Sequence, residues 1–177
     1  MKLQIRVMVV LSVILALCAV SNLYAQPQQG QQELILTAGL DRQIGSGVGN
    51  FNGDITYGHF IDDSFQLGVR QGMSYTFSDD TQDFWRATTV PFVDYHCEGF
   101  GRDNQVVPVL GGFVGAVWND EDFTGTVGPQ AGLKIYVDDS AFFLTRYRYE
   151  WFFEDLDDVN ETIDSAHVVT AGFGYTW

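Results

Sequence analysis

Three histidines, His59, His96 and His167, are the side chains of this 177-residue chain that could act as an acid or base near neutral pH. Ser165 stands two residues before His167. A serine activated by a neighbouring base suits acyl transfer or ester hydrolysis, and a two-residue spacing puts both side chains on one face of a strand. His59 and His167 also fall on the apolar parity of their segments, and His96 falls at a turn. A second chemistry is hinted at by Asp155, Asp157, Asp158 and Asn160, oxygen donors of the kind that ring calcium. The glycine needed at position six and the acid at position twelve of such a loop are missing. Cys97 is a lone thiol without the basic cluster that would activate it. These residues predict no catalytic, cofactor-binding or metal-binding residue, no cofactor, and no enzyme activity.

The elements that would have to position any chemistry repeat with a period of two. Residues 34–42 set Leu34, Leu36, Ala38 and Leu40 against Thr37, Gly39 and Asp41. A glycine-rich stretch, 45–52, leads to a second segment at 53–61, and Asp62, Asp63 and Ser64 turn it into a third at 64–77. There Phe65, Leu67, Val69, Met73, Tyr75 and Phe77 alternate with Gln66, Gly68, Arg70, Gly72, Ser74 and Thr76, and only Gln71 breaks the apolar face. The fourth segment, 84–97, turns Trp85, Ala87, Thr89, Val93 and Tyr95 one way and Arg86, Thr88 and Asp94 the other. The fifth, 105–118, carries Val, Leu and Gly on both parities; Pro108, Leu110, Val114, Ala116 and Trp118 are the favoured outward set. The sixth, 124–137, opposes Val127, Pro129, Ala131, Leu133, Ile135 and Val137 to Gln130, Gly132, Lys134 and Tyr136. After Asp138, Asp139 and Ser140, the seventh turns Phe143, Tyr147, Tyr149, Trp151 and Phe153 outward and Arg146, Arg148 and Glu150 inward. The eighth, 163–177, presents Val169, Ala171, Phe173, Tyr175 and Trp177 on one face.

Eight such segments with no helix to cover them are accommodated by an all-β, antiparallel up-and-down barrel with its apolar face in lipid. Tryptophan placement agrees, because Trp concentrates where bilayer meets water. Trp85, Trp118 and Trp151 fall at one rim and Trp177 at the other, forming an interface girdle.

Lys2 and Arg6, an apolar run over 7–20 and then Leu23, Tyr24 and Ala25 read as a secretory signal peptide spanning 1–25. Its apolar run is short of the roughly 20 residues of a spanning helix. Cleavage after Ala25 is preferred, with Ser21 the alternative. Residues 26–32 form a polar leader and 33–177 the barrel domain. Removing 25 of 177 residues leaves 152, enough for one domain. It also removes Cys18, so Cys97 has no internal disulfide partner. Losing Lys2 and Arg6 takes the net charge from -14 to about -16, which excludes nucleic acid as an electrostatic partner. The acid gathers between segments, at Asp79, Asp80 and Asp83, at Asp120, Glu121 and Asp122, and at Glu154, Asp155, Asp157, Asp158 and Glu161. These are expected to be exposed loops.

The bases behave oppositely. Of the seven left after residue 25, Arg70, Arg86, Lys134, Arg146 and Arg148 lie on inward parity in mid-segment. An eight-stranded barrel is only wide enough for its own side chains. The expected arrangement is an interior ion-pair network of Arg70, Arg86, Asp94, Lys134, Arg146, Arg148 and Glu150. Asp54 is a further acid, and Gln66, Gln130 and Tyr136 are neutral neighbours. The competing reading of the same residues is a narrow pore for small solutes or anions.

Across residues 33–177 the chain resembles the small OmpA/OmpX-like outer membrane barrels of Gram-negative bacteria. The likeness rests on Tyr57-Gly58-His59-Phe60-Ile61-Asp62-Asp63, on Gly128-Pro129-Gln130-Ala131-Gly132-Leu133-Lys134 leading to Asp138-Asp139-Ser140, on Arg146-Tyr147-Arg148-Tyr149, and on the terminal Phe173, Tyr175 and Trp177. The resemblance implies that this terminal row is the assembly signal read by the barrel-assembly machinery. Members more often end in Phe, so Trp177 is a departure. It further implies localisation in the cell outer membrane, with outer membrane lipid and lipopolysaccharide as surroundings. The acidic loops would meet an extracellular partner, or lipopolysaccharide phosphates through a bridging Mg²⁺ or Ca²⁺. The expected role is structural or surface interaction; after the pore, a lipid-modifying enzyme built on Ser165 and His167 is the third reading.

Overall fold

The computed structural model describes residues 27–42, 48–78, 84–118, 123–153 and 164–177. Eight antiparallel strands follow one another: β1 (Gln32–Arg42), β2 (Val48–Phe60), β3 (Phe65–Ser78), β4 (Phe84–His96), β5 (Val106–Trp118), β6 (Phe123–Tyr136), β7 (Ala141–Phe153) and β8 (Asp164–Thr176). Each pairs with its neighbours in sequence, and β1 closes onto β8, giving an up-and-down barrel. The signal-peptide reading and all three acidic clusters lie outside the described residues.

The connections fall into two classes, one at each end. At one end the chain turns by local hydrogen bonding. Asp62 Oδ1 accepts from the amides of Ser64 and Phe65, both at 2.7 Å, and Asp138 Oδ1 accepts from Ser140 at 2.8 Å and Ala141 at 2.6 Å. The same Asp-Asp-Ser sequence thus builds the same side-chain-capped turn twice. The third connection at this end includes a short 3-10 turn, Arg102–Asn104, with Asp103 and Asn104 both at φ 56. At the opposite end β1, β3, β5 and β7 finish and β2, β4, β6 and β8 begin.

Strand bounds differ from the sequence reading in two places that matter. The stretch 45–52 was expected to be a glycine-rich loop, yet β2 begins at Val48, and Val48 to Asn52 pair with Ser78 to Ser74 of β3. Ladder hydrogen bonds need only backbone, so Gly49 opposite Phe77 does not interrupt them. β1 begins at Gln32, ahead of the expected residue 34, which brings Glu33 into the sheet opposite Thr176.

The outer surface is apolar around the whole circumference. Leu36, Ile55, Met73, Leu110 and Val169 are 53 to 70% exposed on five different strands. Patches beyond a few hundred Å² are rare on soluble monomers, whereas a lipid-facing barrel requires such a band. β5 sets Pro108, Leu110, Val114, Ala116 and Trp118 on this outer side and buries Val107, Val109, Phe113 and Val117. Phe153, expected in the outward row, is instead buried, its ring lying where a Cβ on Gly125 would stand.

Inside, large and absent side chains alternate. A Cβ on Gly68 would strike the Phe92 ring, one on Gly111 the Asp94 carboxylate, and one on Gly174 the Phe142 ring. A lumen this narrow cannot hold a side chain at every inward position. The glycines make room for the groups that fill it.

Candidate functional site in the barrel lumen

The inward side chains stack in tiers from the short-turn end upward. In the lowest, Lys134 Nζ lies 2.5 Å from Glu33 Oε2 and 2.7 Å from His96 Nε2. Gln66 Nε2 donates to the other oxygen, Glu33 Oε1, at 3.0 Å. The ammonium also sits 4.8 Å from the Phe142 ring centre and 5.5 Å from that of Phe60. Lys134 and Glu33 are both sealed from solvent, so each charge relies on the other and on those rings.

The middle tier centres on Asp94. Arg146 Nη2 donates to Oδ2 at 3.0 Å and Gln130 Nε2 to Oδ1 at 2.6 Å. Gln130 Oε1 in turn accepts from Arg70 Nη2 at 3.1 Å. The guanidinium of Arg70 stacks near Phe92 and Phe113, with ring centres at 5.9 and 5.7 Å. One neutral amide therefore links a paired arginine below to a differently placed one above.

The upper tier is looser. Arg148 Nε lies 2.9 Å from Glu150 Oε1, and its Nη1 is 3.6 Å from Asp54 Oδ2; Thr37 Oγ1 donates to that same Asp54 oxygen at 2.9 Å. Above these groups is a cavity of about 200 Å³ whose lining includes Asp54, Arg70, Arg86, Thr126, Arg148 and Glu150.

The residues expected inside from sequence are thus distributed over all three tiers. Lys134, Arg146, Asp94, Arg148 and Glu150 are paired as described. Arg70 is buried but faces an amide, with no carboxylate in ion-pair distance among the described residues. Arg86 borders the cavity and is exposed. Two participants were not anticipated. Glu33 adjoins the polar leader in sequence, and the sequence reading puts His96 at a turn. The structure corrects the latter, since His96 is the last residue of β4, on the same parity as Asp94, and packs against Phe60 in the lumen.

The outward-parity histidines lie on the outside of the barrel. His59 and His167 are exposed on the outer surface. His167 Nδ1 is hydrogen-bonded to the Tyr147 hydroxyl at 2.6 Å, and its ring lies against Tyr149. Ser165 is exposed on the same strand. Among the described residues no group of three or more His, Cys, Asp or Glu is arranged to hold a metal ion; the run from Asp155 to Asn160 lies outside them. Trp85, Trp118 and Trp151 stand near the ends of β4, β5 and β7 away from the Asp-Asp-Ser turns, and Trp177 stands at the other end beside Tyr175. Phe173, Tyr175 and Trp177 form an exposed row.

No protein-family model and no curated protein sequence matches the chain. Among solved structures it is similar to the outer membrane protein OprG from Pseudomonas aeruginosa, with a TM-score of 0.56 and 12% identity over 86% of this chain and 98% of that one. It also aligns with the N-terminal β-barrel domain of Pseudomonas aeruginosa OprF (TM-score 0.47, 17% identity, 84% and 98% covered). A third alignment is with Neisserial surface protein A (TM-score 0.49, 16% identity, 82% and 92% covered). The likeness to OprG is one of fold: the chain has the architecture of an outer membrane β-barrel.

Proposed function

We propose that the chain is an integral outer membrane protein of the small OmpA/OmpX-like kind, non-enzymatic, with a structural or surface-interaction role and a lumen closed by its own side chains. The observation that carries this reading is the pairing of a continuous apolar exterior with an interior of neutralised charges, Lys134 on Glu33 and Arg146 on Asp94. Charges are placed on an inward face at such cost only when the outward face is unavailable to them. Trp85, Trp118 and Trp151 would mark the outer interface and Trp177 the periplasmic one, putting the short turns in the periplasm and the acidic connections outside.

On this reading the belt contacts outer membrane lipid and lipopolysaccharide. The Phe173, Tyr175 and Trp177 row is offered to the barrel-assembly machinery during biogenesis, after export by a cleaved signal peptide. An extracellular partner, if one is bound, meets the acidic connections. Fractionation of expressing cells tests the assignment: the protein should co-sediment with outer membranes, resist extraction by carbonate, and migrate differently before and after boiling. Recovery in the soluble periplasmic fraction in a folded state would reject it.

A further inference from the structure

The upper lumen differs from the tiers below it in how its charge is balanced. Below, Lys134 and Arg146 each have a carboxylate within 3.0 Å. Around the cavity lie two acids, Asp54 and Glu150, and the buried cation Arg70 has neither of them in ion-pair distance. Both acids are committed to Arg148. Arg70 is 3% exposed; one terminal nitrogen donates to Gln130, while Nη1 has no hydrogen-bond partner. Beneath it the Phe92 and Phe113 rings shield the guanidinium from water. A buried guanidinium with an idle donor that borders a cavity is the arrangement that binds an oxyanion. Thr126 supplies a second idle group on the same cavity, its hydroxyl buried and without a partner.

We propose that the upper lumen is a binding site for a small oxyanion, a carboxylate or phosphate group, held by Arg70 and Thr126. The cavity, about 200 Å³, is smaller than the roughly 300 to 1,000 Å³ usual for drug-sized ligands. It therefore suits a ligand of a few heavy atoms. This is a vestibule that holds a solute, whatever the rest of the barrel does at the cell surface.

The test is calorimetric titration of the refolded protein in zwitterionic detergent with inorganic phosphate, with acetate, and with short-chain phosphatidic acid, at constant ionic strength. Phosphate or acetate should bind saturably at one site. Arg70→Gln should weaken that binding roughly tenfold or more, as loss of a charge-assisted pair would. Thr126→Val should weaken it less, and Arg102→Gln, at an exposed turn on the other end, should leave it unchanged. Folding of each variant is checked by its shift on boiling. If Arg70→Gln does not fold, the Arg70 side-chain resonances of the unaltered protein should still move on adding phosphate while those of Arg102 stay. No saturable binding of either free anion, binding that survives Arg70→Gln or leaves the Arg70 resonances in place, or binding of phosphatidic acid alone, which would place the ligand on the lipid face, would each overturn the proposal.

Discussion

Asp94 shows how much a single lumenal residue is asked to carry. Fully enclosed, it accepts from Arg146 and Gln130 on two different strands. Arg146→Leu would leave that carboxylate with only an amide donor. The expected loss is about 3 kcal/mol, seen as a lower urea midpoint in detergent, whereas Arg102→Leu, 76% exposed in its side chain, should leave the midpoint within error. Equal midpoints would mean that the buried pair contributes nothing. Replacing both members of the lower pair, Glu33→Leu with Lys134→Leu, should be gentler than either single change, because neither charge is then stranded. A double variant at least as destabilised as the sum of its singles would contradict this. Most of these residues were legible because Arg70, Lys134, Arg146 and Arg148 interrupt rows whose opposite parity is plainly apolar. Glu33 was not, since it follows a run of glutamines and precedes the first apolar alternation by one position. His96 could have been found by counting two from Asp94. Which cation meets which acid is set by packing across the lumen, and strand periodicity holds no information on that.

At the level of elements, the closing ladder is the sensitive one. β1 and β8 pair from Glu33 opposite Thr176 to Thr37 opposite Gly172, a shorter run than any other ladder among the described residues. A Cβ on Gly172 would stand 2.5 Å from the Leu36 carbonyl and 2.6 Å from a Thr37 methyl. Gly172→Ala should therefore lower the temperature at which the folded band is lost, by an overpacking cost of about 1 to 3 kcal/mol. The comparison is Gly112→Ala on β5, whose Cβ would meet nothing nearer than 3.7 Å; equal melting of the two would argue against a tight seam. Trp177→Asp tests the same ladder during assembly. A carboxylate at the interface costs only about 0 to 1 kcal/mol, so the refolded variant should be nearly as stable as the parent, yet in cells it should accumulate as a protease-sensitive periplasmic form. Normal outer membrane levels would show that this terminus is not what the assembly machinery reads. The alternation made every strand of this ladder visible in sequence. It did not show where β2 starts, because glycines that look like a loop can pair as well as any residue once a neighbouring strand is present.

The whole molecule inverts the usual order of a water-soluble fold, apolar outside and charged within, and its eight ladders leave no open edge. That inversion was readable from parity and from the end placement of the tryptophans. The filling of the lumen was not, because Phe60, Phe92, Phe113 and Phe142 sit on inward positions that a polar-in rule assigns to hydrophilic residues. These rings, with the two neutralised pairs, close the lower two tiers beneath the cavity. Purified protein reconstituted in vesicles, with insertion verified by protease protection and a boiling-dependent mobility shift, should be fused into planar bilayers and its current recorded across a range of applied voltage. The expected result is insertion without a steady ohmic conductance; a stable, reproducible single-channel conductance from the unaltered chain would contradict it.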